Sequence, residues 1–313
     1  MKLLYLLAAA LGLPLAAQVK ITQAADRITI DIDDKPFTAF YAGADTAKPY
    51  LHPLRTASGK TITRFYPMEK VEGEVYDHVH HRGLWFTHGK VNEFDFWANE
   101  KSQKGATSKK GLIVTKKIGK IESGEKSGRI LGLFEWQDDQ GGALLTEART
   151  MTFSAPAGQR MIDFDITLTA AAKVTFGDTK EGTFALRLRK ELEERQGGRM
   201  TNAEGASTEK NVWGKRSPWV DYCGELQGEK ICVAIMDHPS NPRHPTYWHS
   251  RAYGLFATNI FGVQDFERDK SKDGSLTLEP GQSLQFRYRV LIHPGDTATA
   301  DIPSEFNKFA KSR

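Results

Sequence analysis

The nine histidines of this sequence are unevenly placed. Four fall in Asp77-His78-Val79-His80-His81-Arg82-Gly83-Leu84-Trp85-Phe86-Thr87-His88, and three in Asp237-His238-Pro239-Ser240-Asn241-Pro242-Arg243-His244-Pro245-Thr246-Tyr247-Trp248-His249. Imidazole is the side chain whose ordinary pKa lies nearest neutrality, so such clusters suit proton transfer, hydrogen bonding or metal ligation. If the first segment is extended, His78 and His80 project to one side and His81 to the other. That i, i+2 pair, with His88 as a third donor, matches a spacing used by metal sites on β scaffolds. Histidines that only hydrogen-bond and position a loop would look the same. A closed structural zinc site is not expected on His78 and His80, because no cysteine or carboxylate follows at ligand spacing. No metal or cofactor is assigned.

Three prolines forbid a regular helix or central strand through the second segment, and its aromatic content argues against disorder. A long ordered loop that carries function is expected there. Two shorter pieces accompany it. Phe176-Gly177-Asp178-Thr179-Lys180-Glu181-Gly182 sets two carboxylates and an ammonium between strands. Trp213-Gly214-Lys215-Arg216-Ser217-Pro218-Trp219-Val220-Asp221-Tyr222 joins two indoles to a basic pair. Indole faces beside Arg and Asp can hold the apolar face of a sugar ring and its hydroxyls, although tryptophans more often serve core packing.

These segments must be positioned by strands. Arg27–Ile32, Ile113–Thr115, Met161–Leu168 and Leu284–Val290 alternate with period two and are rich in β-branched and aromatic residues. Turn residues separate such runs at Gly141-Gly142, Ala157-Gly158, Asp273-Gly274 and Pro280-Gly281. The best helical stretch is near Pro303 to Ala310. The fold expected is all-β, a two-sheet antiparallel sandwich with few short helices. Around Gln227-Gly228 a two-residue turn pairs Glu225 with Lys230 and Cys223 with Cys232 at a closely spaced, non-hydrogen-bonded position. The two cysteines are then either a disulfide or a packed, reduced pair.

Met1-Lys2 and the apolar run Leu3 to Ala17 read as a secretory signal, too short to span a bilayer. Residues 1–17 are thus set aside, and 18–313 are expected to form a single β-sandwich domain in the periplasm or outside the cell. No later run is long and apolar enough to cross a membrane as a helix. There is no Pro/Ser-rich linker and no internal repeat. The formal net charge of +4 is spread among interspersed acids, which leaves no single-signed groove for nucleic acid. Oligomeric state cannot be read.

The runs Asp77–Phe86, Gly177–Gly182, Trp213–Tyr222, His238–Pro242 and Trp248-His249-Ser250-Arg251-Ala252-Tyr253-Gly254-Leu255-Phe256 together resemble an exported bacterial family labelled "methane oxygenase PmoA", otherwise described as a domain of unknown function. The resemblance spans nearly all of the mature chain. A membrane methane monooxygenase subunit needs several transmembrane helices, so the oxygenase activity in that label is rejected. What the resemblance implies is a supersandwich similar to galactose mutarotase-like carbohydrate proteins, with a small carbohydrate as ligand.

The leading expectation is therefore a carbohydrate-active enzyme, an epimerase or mutarotase, lyase or hydrolase, working by general acid/base catalysis. The acid/base pair is sought between His81 or His249 and Glu181 or Asp178. Binding is assigned to His78, His80, Arg82, His88, Lys180, Arg216, Asp221, Asn241, His244 and Arg251, with Trp219 and Trp248 stacking on the sugar. The alternatives are a non-catalytic sugar-binding module and a metal-dependent enzyme built on His78, His80 and His88. The two histidine-rich segments are expected at the same end of the sandwich.

Overall fold

In Arg160–Ala170, sequence RMIDFDITLTA, buried and half-buried residues alternate without a break. That is the period-two signature of a strand with one face on a core. The same pattern, repeated along the chain, builds the molecule as seen in a computed structural model that describes residues 18–103 and 109–312. Residues 1–17, read from the sequence as a secretory signal, lie outside the described residues.

Two eight-stranded sheets face each other. The first runs, in spatial order, Val19–Gln23, Ile28–Ile32, Lys35–Tyr41, Tyr50–Leu51, Leu84–His88, Gly182–Arg187, Leu255–Asn259 and Tyr247–Trp248. The second runs Arg199–Asn202, Trp219–Leu226, Glu229–Asp237, Ser283–Pro294, Arg160–Ala170, Ala143–Ser154, Ser127–Gln137 and Leu112–Glu122. Every pairing in both is antiparallel. One apolar core joins them, with Phe86, Phe184, Leu186 and Phe256 of the first sheet against Phe164, Ile166, Phe286 and Tyr288 of the second. Among the described residues the α-helices are short: Glu209–Val212, Val263–Glu267 and Ile302–Ala310. None is long and apolar enough to cross a membrane.

The expected all-β sandwich is the observed one. The hairpin register holds residue for residue, Glu225 opposite Lys230 and Cys223 opposite Cys232. Gln227 and Gly228 both have positive φ, 51° and 78°, as a type I′ turn requires. The cysteines form a disulfide across Cα atoms 4.0 Å apart. The proline-rich loop ends sooner than expected. After Pro245 the chain enters the short strand Tyr247–Trp248, which pairs with Leu255–Asn259 at the sheet edge, a place where a preceding proline costs no ladder bond.

Candidate active site

Alternation along the first sheet decides which side chains leave the core. In Leu84–His88, Leu84 and Phe86 enter it, while Trp85 faces outward. Cross-strand pairing aligns Tyr50, Trp85, Ala185 and Ala257 in one row on that outer face. His249 extends the row, its backbone N–H donating to the Ala257 carbonyl at 2.8 Å. Trp97 packs on the same patch, with Tyr253 against its margin. The first histidine cluster lies over this row. His81 stacks on Trp85 at 5.3 Å between ring centroids and on His78 at 4.7 Å, and His80 meets His81 edge-on at 4.4 Å.

The second segment reaches the same place through Tyr253. Its ring stacks on His78 at 5.5 Å and lies beneath the guanidiniums of Arg187, at 4.7 Å, and Arg251, at 5.7 Å. Arg251 also covers Trp213 at 5.9 Å, and Trp213 in turn meets His249 at 6.4 Å. The first histidine-rich segment and His249 of the second thus share one face of the first sheet, whereas His238 and His244 pack against Phe309 and Phe306 of the helix Ile302–Ala310.

Electrostatics sort the groups by role. His81 is buried, and its Nδ1 lies 3.1 Å from Arg187 Nη1. Burial, with the charges of His80 and Arg187, holds its pKa well below the ordinary imidazole value. Burial likewise lowers His80 and His249 to about 3. These rings are neutral at physiological pH. His78 differs: about two-fifths exposed, it presents Nδ1 to Asp77 Oδ2 at 2.9 Å. Asp77 also accepts from Arg64 Nη1 at 2.6 Å. Burial works to raise the Asp77 carboxyl, but the His78 hydrogen bond, Arg187 and Arg64 outweigh it and hold the group below the usual carboxylate range. The opposite happens across Arg187, where burial raises the carboxyl of Glu193, 3.9 Å from Arg187 Nη2. The two carboxylates beside this one guanidinium are thus shifted in opposite directions. His78 sits at φ 44°, a left-handed conformation uncommon outside glycine and found disproportionately at functional sites.

Two hollows open here. One, of about 280 Å³, is lined by Tyr66, Tyr76, Asp77, His78, Val79, Ser102 and Gln103. Tyr66 and Tyr76 pair at 5.1 Å, and about half of Tyr76 is exposed. The other, an open cleft of about 990 Å³, has Trp213, Arg216, Tyr247, Arg251, Asp265 and Phe266 among its walls. Lys180 and Glu181 form a half-exposed ion pair of 3.2 Å; Lys180 adds to the charge felt by His249 and Glu181 to that felt by Tyr253.

Several assignments made from the sequence are corrected. His88 faces the core side of its strand, against Phe176 and Phe261, and hydrogen-bonds the Gly177 carbonyl at 2.8 Å. It therefore joins neither a substrate site nor a metal cluster with His78 and His80. Asp178 is a loop staple, taking N–H donors from Gln264 at 3.1 Å and Gly274 at 2.6 Å. Trp248 is buried in the main core with Nε1 on the Ser217 carbonyl, so it presents no face to a sugar. Trp219 packs on the far side of the second sheet under Ile302 and Phe309. Asp221, two residues on in that strand, bonds His293 and Thr297. Asn241 and His244 tie their loop to Asp237 at 2.7 Å each. Arg82 reaches the correct face, but its fork is closed on Glu100, at 2.6 and 2.9 Å. Arg216 lines the large cleft while holding the Pro245 and Arg243 carbonyls. Asp77, Arg187, Glu193, Tyr253 and the Tyr66–Tyr76 pair had no assigned role from the sequence. Asp77 stood directly before the histidine cluster, and an acid adjacent to a histidine was a usable signal; the others come from distant segments.

Solved structures with similarity to this chain include a galactose mutarotase-like protein from Clostridium acetobutylicum, 9% identical, with a TM-score of 0.45 over 90% of this chain and 99% of that one. A galactose 1-epimerase from Lactobacillus acidophilus is 8% identical, with a TM-score of 0.39 over 90% and 100%. A putative aldose 1-epimerase from Klebsiella pneumoniae is 10% identical, with a TM-score of 0.41 over 95% and 88%. None of the curated proteins matches the sequence. Residues 27–307 match a family of unknown function, DUF6807, and the chain belongs to that family.

Proposed function

We propose that the chain is a carbohydrate-active enzyme that moves a proton on a bound sugar, with His78 as the acid/base group and Asp77 as its orienting partner. The observation that carries this reading is the 2.9 Å contact between His78 Nδ1 and Asp77 Oδ2 at the edge of a hollow lined by Tyr66 and Tyr76. A carboxylate on Nδ1 fixes the tautomer and leaves Nε2 to exchange a proton with a ligand, the geometry that general-base histidines use. The half-exposed Tyr76 ring offers a stacking face for a sugar. His81, sealed and neutral, acts as a fixed support beneath His78 and Arg187. His249, also sealed, supports the wall formed by Trp213 and Phe266. The sequence motifs resemble those of an exported bacterial family, which implies a sandwich similar to galactose mutarotase-like carbohydrate proteins, and this supports the same substrate class.

The test is a thermal-shift screen of mono- and disaccharides on the mature protein, followed by NMR analysis of any sugar that binds. His78→Ala and Asp77→Asn should keep the sugar-induced shift and lose turnover by about 10²–10⁴-fold, as expected for removal of a general acid or base. A protein that no sugar stabilises, or a His78→Ala variant with unchanged turnover, would sink the proposal.

A further inference from the structure

On the far side of the sandwich, a second group of chemically active side chains lies outside the site just described. Cys223, Cys232 and His293 are partners in one cross-strand row, Cys223 opposite Cys232 and Cys232 opposite His293. Asp221, two residues before Cys223, points to the same face. Its Oδ1 lies 3.2 Å from His293 Nε2, and its Oδ2 lies 3.5 Å from Cys223 Sγ. Ligand atoms of Asp221, Cys223 and Cys232 all fall within 4.8 Å of one another. Asp221, Cys232 and His293 are buried, whereas Cys223 is partly exposed and leaves an approach from solvent.

We infer that reduction of the Cys223–Cys232 disulfide converts this group into a metal site of Cys₂Asp type, with His293 holding the Asp221 carboxylate from outside the donor set. Two thiolates and a carboxylate, with a water in the fourth position, are a donor set that zinc takes in tetrahedral coordination. The oxidised form cannot ligate in this way, because each sulfur is bonded to the other and carries no thiolate charge. A dithiol reductant would supply the two electrons: it becomes a cyclic disulfide, while Cys223 and Cys232 become thiols. Binding of Zn²⁺ then releases both thiol protons to solvent. Zinc–sulfur bonds of about 2.3 Å in a tetrahedron require the sulfurs, once reduced, to separate to about 3.8 Å. His293, on the strand Ser283–Pro294, lies 3.2 Å from Asp221 Oδ1, and Thr297 Oγ donates to Asp221 Oδ2 at 2.8 Å, so the carboxylate is oriented from outside the donor set. The site would couple the redox state of its surroundings to metal loading of the second sheet.

Cobalt(II) is the probe, added to the full mature chain before and after reduction with a phosphine that does not itself bind the metal. The reduced protein should take up one equivalent, with sulfur-to-cobalt charge-transfer bands in the near ultraviolet and intense visible bands of tetrahedral cobalt. Zinc should displace it stoichiometrically, and the oxidised protein should show none of these bands. Cys223→Ser and Cys232→Ser should each weaken the charge-transfer bands, and His293→Gln should lower affinity by about 10- to 100-fold, with far-ultraviolet circular dichroism confirming the fold of each variant. Absence of tetrahedral cobalt in the reduced protein, loss of its fold on reduction, or full affinity in His293→Gln and Asp221→Asn would each overturn the inference.

Discussion

Arg187 Nη1 sits 3.1 Å from His81 Nδ1, and because a guanidinium can only donate, the imidazole nitrogen must be the acceptor. His81 is therefore neutral, with its proton on Nε2, and it holds Arg187 in place beneath Tyr253. This contact explains why the histidine nearest the sheet serves as support while the outer one, His78, keeps a free nitrogen.

Nitrogen-15 NMR of labelled histidines gives the direct check on that tautomer. The His81 ring should carry its proton on Nε2 at pH 7 and stay uncharged at pH 5, since burial and the adjacent Arg187 and His80 charges hold its pKa far down. A His81 signal that titrates between pH 5 and 8 would show that the Arg187 contact does not persist in solution.

Stability should fall on mild acidification. His52, His80 and His249 are lowered to about 3 and His88 to about 4, each chiefly by burial. The unfolded chain, with histidine pKa near 6.5, binds more protons than the folded one in this window. The stability these rings contribute is complete above about pH 6.5 and declines as pH drops toward their folded values, by about 1–2 kcal/mol each at pH 5. His293, raised despite its burial by Asp221, works in the opposite direction and offsets part of the loss. Urea titrations at pH 7 and pH 5 should show a lower midpoint at pH 5; equal midpoints would contradict neutral burial of these histidines.

Tryptophan and tyrosine should separate core from site. Trp248→Ala removes a sealed core side chain and should cost about 3–5 kcal/mol. Tyr76→Ala removes an exposed ring and should alter stability by less than about 0.5 kcal/mol, while abolishing the thermal shift produced by a sugar ligand. The reverse pattern in denaturation and sugar titrations would return the stacking role to Trp248.

Asp178→Ala strips the acceptor from two backbone N–H groups, those of Gln264 and Gly274. A loss of about 1–3 kcal/mol is expected from leaving such donors unpaired. Sugar turnover, measured well below the melting temperature, should remain within a few-fold of wild type, since the carboxylate touches no group of the His78 hollow. A collapse of turnover with unchanged stability would restore Asp178 as a catalytic acid.

What the residues determined locally was legible in the sequence. Period-two alternation in stretches such as Met161–Leu168 marked strands because one face of each is buried, and the Gln227-Gly228 turn set a hairpin register that paired the cysteines. Residue types also located the chemistry: the clusters at His78–His88 and His238–His249 supply His78, His80, His81 and His249 to one face of the first sheet. The division of labour within those clusters was decided by tertiary structure. His78 and His81 have the same side chain, and only the burial of one against Trp85 and Arg187, with exposure of the other beside Asp77, fits one to support and the other to the proton transfer proposed above. Trp248, expected to stack on a sugar, is sealed in the core for the same reason, while Tyr76, given no role from the sequence, is exposed. Which face of a strand meets the core depends on the pairing of segments more than a hundred residues apart, such as Arg160–Ala170 with Ser283–Pro294, and Arg187, Glu193 and Tyr253 join the site only once strands distant in sequence become neighbours.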